Sequence, residues 1–234
     1  MRMRLASGIA ALLLSSAARI ATATEMGLPT AGFHEAAVDV RFGLMGDSIM
    51  YRFHPSTDPA TNYDASFATG GVTAAVGLFR KVEINAGAGI AGFNDYANTF
   101  GAPDGRYKFY TVGVRGTFYE IPDEPVQFGG GVQIAWWNHN NLISSGERTA
   151  TLGVSWRPVK GNVVFAGAEY FSVESGAAVD AKVNTTPVFL VTDGEAIYAG
   201  YRLRAAIFVL EVEGRIEVPD PSRHGFGGMA GIEF

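Results

Sequence analysis

From residue 38 onward the chain is dominated by one period: apolar residues at every second position, in stretches of about ten residues separated by loops. In "KFYTVGVRGTFYE", Tyr110, Val112, Val114, Gly116 and Phe118 make one face, and Phe109, Thr111, Gly113, Arg115 and Thr117 the other. In "VQFGGGVQIAWW", Val126, Phe128, Gly130, Val132, Ile134 and Trp136 oppose Gln127, Gly129, Gly131, Gln133 and Ala135. "TATLGVSWR" and "IFVLEVEGRIE" alternate the same way. With weaker contrast, so do Val38–Leu44, Ser66–Leu78, Val82–Phe93, Val163–Val173 and Ile197–Arg204. The tail "HGFGGMAGIEF" makes ten such segments. Successive side chains of a strand point to opposite faces, so this period specifies strands with two unlike faces and leaves little room for helix. No later window of about 18 residues is apolar and free of charge enough for a membrane helix.

A soluble sandwich also alternates, so the chemistry of each face decides. The polar faces mix glycine with charges of both signs: Asp39, Arg41, Glu83, Arg115, Glu169, Arg202, Glu211, Glu213 and Arg215. Small residues and opposed charges suit a narrow polar lumen. The apolar faces carry no charge at their centres, where a Lys or Arg facing lipid would cost about 2–4 kcal/mol. Aromatic residues gather at segment ends (Trp136, Trp137 and Trp156, with Tyr107, Phe109, Phe118, Tyr119, Tyr170 and Phe171), as expected of rings at a water–lipid boundary. Connections alternate between long (about 46–65, 94–106, 138–148, 174–195 and 217–225) and short (near Arg80, Pro125, Gly161 and Ala206). The pattern predicts an all-β transmembrane barrel of about ten antiparallel up-and-down strands, long loops on one side and both termini on the other. Eight or twelve strands stay open. "TTPVFLVT", Thr185 to Thr192, reads as the upper part of a hairpin beyond the membrane.

The first residues, "MRMRLASGIAALLLSSAARIATATE", have Arg2 and Arg4, then an apolar stretch from Leu5 to Ala18, then Ala21-Thr22-Ala23. That is the plan of a secretory signal peptide cut after Ala23, leaving residues 24–234 as one barrel domain. The apolar run is shorter than the roughly 20 residues a spanning helix needs. Removing it takes away Arg2, Arg4 and Arg19, leaving 15 Lys and Arg against 23 Asp and Glu, a net charge of −8. Such an acidic exported chain is a poor partner for nucleic acid, which is bound through basic surface. There is no cysteine, hence no disulfide, no thiolate metal site and no lipid-modified Cys.

Signal peptide, alternating segments and a last strand ending in Phe resemble those of bacterial outer-membrane β-barrel proteins of the small-barrel class. The residues carrying the likeness are Phe226, Gly228, Ala230, Ile232 and Phe234. The resemblance implies that this strand is read by the barrel-assembly machinery, and that the partners are that machinery and outer-membrane lipid. It implies a Gram-negative outer-membrane location. Independently of any resemblance, a barrel in lipid must pair its last strand with its first, since an open edge leaves backbone groups unsatisfied.

Chemistry is sparse. Ten strands enclose a lumen that side chains can fill, whereas aqueous channels come with about 16–18 strands. The nine lumen charges therefore read first as an ion-paired plug, and second as the lining of a narrow diffusion channel for small solutes. Omptin-type proteases, members of the same class, place Asp and Asp–His at the outer rim. Here His54, His139 and His224 lie in or near outer loops, beside acids such as Asp47, Asp58, Asp64, Asp95 and Asp104, without a defensible catalytic spacing. Gly129–Gly131 sits within a strand and opens no helix, so it is not a phosphate loop. The expectation is a non-enzymatic structural or surface-interaction barrel with no cofactor, no metal and an extracellular ligand unknown. A rim enzyme is the remaining alternative.

Overall fold

The computed structural model describes residues 28–31, 38–55, 63–94, 107–139, 143–177, 188–218, 220, 221 and 223–234. Alternating sequence becomes ten strands: β1 (Val38–Pro55), β2 (Tyr63–Leu78), β3 (Val82–Asn94), β4 (Tyr107–Glu120), β5 (Val126–His139), β6 (Ile143–Val159), β7 (Asn162–Ala177), β8 (Val188–Ala205), β9 (Phe208–Val218) and β10 (His224–Glu233). Each pairs antiparallel with its sequence neighbours, and β10 returns to β1, closing the barrel. Closure removes the edge strands that hydrocarbon does not tolerate.

Alternation now has a direction. On β4, Tyr107, Phe109, Thr111, Arg115 and Thr117 are buried, while Lys108, Tyr110, Val112, Val114 and Phe118 are exposed. The outer wall is a band of aliphatic residues, among them Leu44, Val72, Val112, Val132, Leu152, Ile197 and Val212. Near the short-turn end it carries Phe79, Phe118, Tyr119, Trp156, Phe208 and Phe234; Tyr110, Trp136 and Tyr170 are outward aromatics further along their strands. Tyr110 and Trp136 face each other across β4 and β5, ring centroids 5.9 Å apart.

Several strands outlast the stretches that alternation marks. β1 and β8 have 18 residues and β6 has 17, against the 9–11 a tilted strand needs to cross. The extra length lies at the long-loop end. There β5 reaches His139 and β6 begins at Ile143, so only residues 140–142 connect them where a loop over 138–148 was expected. The reason is contrast: beyond the hydrocarbon both faces of a strand meet water or polar contacts, and the period-2 signal fades though pairing continues. The Thr185–Thr192 segment does belong to such an extension, its described part being the start of β8 paired with the end of β7. The last hairpin is short, and above it β1 leans across to β8, pairing His54 with Val191 and Pro55 with Leu190. At the opposite end the turns are tight. Phe79 and Arg80 both take left-handed angles, φ 55° and 61°, the pair that a hairpin turn matched to strand twist requires.

Candidate functional site: the barrel lumen

All nine charged residues assigned to the lumen from sequence face inward. The register explains how they meet. Glu83 of β3 stands opposite Arg115 of β4, Arg41 of β1 opposite Glu233 of β10, and Arg202 of β8 opposite Glu211 of β9. Directly opposed charges of unlike sign stabilise a ladder. Glu83 Oε1 accepts from Arg115 Nη2 at 2.6 Å and Arg41 Nη2 at 3.2 Å. Arg202 binds Glu233 and lies 3.9 Å from Glu211. Arg204 reaches the other oxygen of Glu233 at 3.0 Å. The result is a belt of alternating sign, Glu211–Arg202–Glu233–Arg41–Glu83–Arg115, across the short-turn half of the lumen.

Toward the long-loop end the balance changes. Arg215 pairs with Glu169, and its guanidinium lies 4.7 Å over the Phe171 ring. Asp47 lies within electrostatic reach of Glu213, Glu147 and Glu169 as well as of that arginine. Asp47 and Glu213 flank Gly227, where a Cβ would sit 3.6 Å from the Asp47 carboxyl carbon and 3.5 Å from Glu213 Oε1. Glu217 is held by Arg223 at 2.6 Å. Counting described lumen residues and their ion partners, nine carboxylates (Asp39, Asp47, Glu83, Glu147, Glu169, Glu211, Glu213, Glu217, Glu233) face six guanidinium groups (Arg41, Arg115, Arg202, Arg204, Arg215, Arg223).

Glu147, Glu217 and Glu233 were not among the sequence candidates, and Asp47, expected as an outer-loop acid, is instead buried in the lumen because β1 continues to Pro55. Asp47 and Glu147 fall where alternation loses contrast, yet counting parity onward from Arg41 and back from Thr149 puts both inside. Glu233 shares the inward parity of Gly227 and Gly231 in the tail.

The aromatic assignments need one correction. Trp136 and Trp156 are outward, 42% and 49% exposed, but Trp137 is fully buried in the lumen. Tyr107, Phe109 and Phe171 are likewise inside. Trp137 packs on Phe67 with ring centroids 4.6 Å apart. Neighbouring residues on a regular strand cannot share a face, so Trp136 and Trp137 cannot both meet lipid. Phe118 and Tyr119 do both face outward, because a bulge between Thr117 and Tyr119 shifts the register there. In the tail, Phe226, Gly228, Ala230, Ile232 and Phe234 occupy the lipid-side parity throughout.

Of the rim candidates, His224 is exposed and stacks edge-on against Phe226, ring centroids 6.0 Å apart, and His54 is half-buried. Asp58, Asp95 and Asp104 lie outside the described residues. Among the described residues no group of three or more His, Asp or Glu is arranged to hold a metal ion.

One lumen component belongs to no strand. Leu28, Pro29, Thr30 and Ala31 are all buried inside the barrel. Leu28 packs with Val163, Phe165 and Tyr198. Arg115 Nη1 donates to the Leu28 carbonyl at 2.7 Å, and the Thr30 hydroxyl donates to Ser155 Oγ at 2.9 Å. Nothing in the sequence pattern marks these four residues.

No protein-family model matches the chain, and no curated protein does. Solved structures to which it is similar are outer-membrane barrels. An OmpT loop-deletion mutant of Vibrio cholerae is 17% identical, TM-score 0.36, covering 80% of this chain and 62% of that one. The Escherichia coli outer-membrane protease OmpT is 9% identical, TM-score 0.40, covering 84% and 96%. The translocator domain of the Neisseria meningitidis autotransporter NalP is 11% identical, TM-score 0.42, covering 86% and 89%. This chain thus spans less than two thirds of the Vibrio protein. What the molecule itself presents is a closed ten-stranded antiparallel barrel with an apolar outer band and a charged lumen.

Proposed function

We propose that the protein is an outer-membrane barrel with a closed lumen, non-enzymatic, acting as a structural and surface-interaction protein through its long-loop end. The observation that carries the closed lumen is the alternating belt, in which Arg41, Arg115 and Arg202 are each about 5% exposed or less and each salt-bridged. Buried charges persist where pairing compensates desolvation. The belt occupies the side of the lumen formed by β8–β10, β1, β3 and β4, and residues 28–31 occupy the side formed by β5–β7. The surface role is supported by length: β1, β6 and β8 exceed the hydrocarbon crossing by several residues each at the long-loop end.

A narrow diffusion channel is the second reading, favoured by the excess of lumen carboxylates over guanidiniums, which neutralising a plug does not require. Single-channel recording separates the two. The chain lacking residues 1–23, refolded into planar bilayers, is expected to be silent while its heat-modifiable mobility shows a folded barrel. Discrete steps altered by Glu211→Gln or Arg115→Gln would sink the closed-lumen reading.

A further inference from the structure

Residues 28–31 sit in a seat that the wall is shaped to receive. Gly129, Gly153 and Gly167 stand side by side on β5, β6 and β7, with Tyr198 of β8 next in the same row. A Cβ at Gly129 would lie 2.8 Å from the Pro29 carbonyl oxygen and 2.9 Å from Thr30 Cγ2. A Cβ at Gly153 would lie 2.9 Å from Pro29 Cβ, and one at Gly167 2.5 Å from the Tyr198 hydroxyl. The glycine row is thus a groove filled from one side by Tyr198 and from the other by the 28–31 segment. The part of the row at Gly129 and the near side of Gly153 is covered, toward the lumen, by that segment.

Two features make this a stopper and not a piece of wall. The segment takes no part in any strand ladder, and β4 to β8 pair continuously behind it. Its described attachments are two side-chain hydrogen bonds and the Leu28 side chain. Arg115 binds Glu83 through Nη2, separately from the Nη1 bond to Leu28, so its charge does not depend on the segment for a partner. Beyond the seat, the lumen holds the surplus of carboxylates around Arg215, and rings of carboxylate side chains select cations.

Resting on the closed-lumen reading, we propose that residues 28–31 are a removable stopper, and that the lumen conducts small monovalent cations when they leave their seat. The conduction path passes the glycine row and then the Asp47–Glu213 pair.

The test uses the chain lacking residues 1–23 in planar bilayers with potassium chloride. Deletion of residues 28–31 is expected to convert silence into discrete steps. In a salt gradient their reversal potential should lie toward that of potassium, and Asp47→Asn with Glu213→Gln should move it toward zero. Leu28→Asp, which sets a charge against Val163, Phe165 and Tyr198 and leaves the wall untouched, should open the lumen too and carries the test if the deletion does not fold. Because the protein lacks cysteine, Thr30→Cys with Ser155→Cys can pin the segment: in the Leu28→Asp background, oxidation should silence the current and reduction restore it. A folded Leu28→Asp protein that stays silent, or that prefers chloride, overturns the proposal. If the unaltered chain already conducts, the closed-lumen reading fails on its own, and the stopper then stands or falls by whether Leu28→Asp raises the current further.

Discussion

Glu83 accepts hydrogen bonds from two guanidinium groups while almost fully buried. Its removal leaves Arg41 and Arg115 facing each other without an anion between them. Breaking a buried pair by removing one partner costs about 3–5 kcal/mol, so Glu83→Ala should lower unfolding stability in lipid vesicles by about that amount. Glu83→Gln, which keeps an acceptor, should cost less, and a urea titration that ranks them the other way would deny the belt its structural role. These contacts are partly legible in the sequence. Strand parity alone sends Glu83, Arg115, Arg202 and Glu211 inward. Parity does not give register, so which charge meets which is visible only in the ladder. Parity also carried its own correction at Trp137, since one of two adjacent tryptophans on a regular strand must turn inward.

At the scale of elements, the β1–β2 seam differs from every other junction. Val38–Val40 pair with Val76–Leu78, and Met50–Phe53 with Tyr63–Ser66. Between these blocks, residues 41–49 of β1 keep their partners on β10 but have none in the β2 ladder. Both blocks share one register, so the interruption needs no slip of one strand past the other. An apolar groove of about 720 Å³ covers it on the lipid side, lined by Phe42, Leu44, Val72, Ala88 and Ile232 among others. From within, Met45 lies against the β3 backbone, where a Cβ on Gly87 would come within 2.7 Å of its methyl group. Local opening is cheapest where ladder bonds are missing. Amide hydrogen exchange should therefore be faster for β1 amides at 41–49 that point toward β2, and for β2 amides at 67–75 that point toward β1, than along β5–β6, where the ladder is unbroken. Equal protection at the two junctions would mean that the seam is zipped in the bilayer. The sequence shows none of this: residues 67–75 alternate like the rest of β2, and the fading contrast beyond Leu44 resembles that at the upper ends of other strands, where the ladder is intact. Alternation reports which face meets lipid and is blind to whether the backbones between the faces are bonded.

At the scale of the whole molecule, strand count and antiparallel order were readable because every crossing repeats the same contrast of faces and every short turn interrupts it. The stopper was not readable, since four residues without a period have no signature until a lumen surrounds them. Closure lies between these cases. The tail's alternation predicts a strand, and hydrocarbon demands that it pair, but only the fold shows how far the pairing runs. It runs to the last residue: the Phe234 amide donates to the Val40 carbonyl at 3.0 Å, and the Val40 amide donates to the Phe234 carbonyl at 3.2 Å. Phe234 thus fastens the foot of β10 to β1 by two backbone bonds and sets its ring, 61% exposed, on the lipid side at the short-turn end. Glu233 beside it turns inward to Arg202 and Arg204. Deleting Phe234 removes both bonds and the anchoring ring, and places the terminal carboxylate directly behind Glu233. The expected result is a barrel that still forms β1–β9 pairings but closes poorly, seen as loss of the heat-modifiable folded band after refolding into vesicles. Phe234→Ala keeps the backbone bonds and should fold in vitro with only a modest loss of stability. If deletion and alanine substitution refold equally well, the backbone pairing at Phe234 is not what holds the barrel shut, and closure rests on the nine β1–β10 pairs from Arg41–Glu233 to Ile49–Gly225.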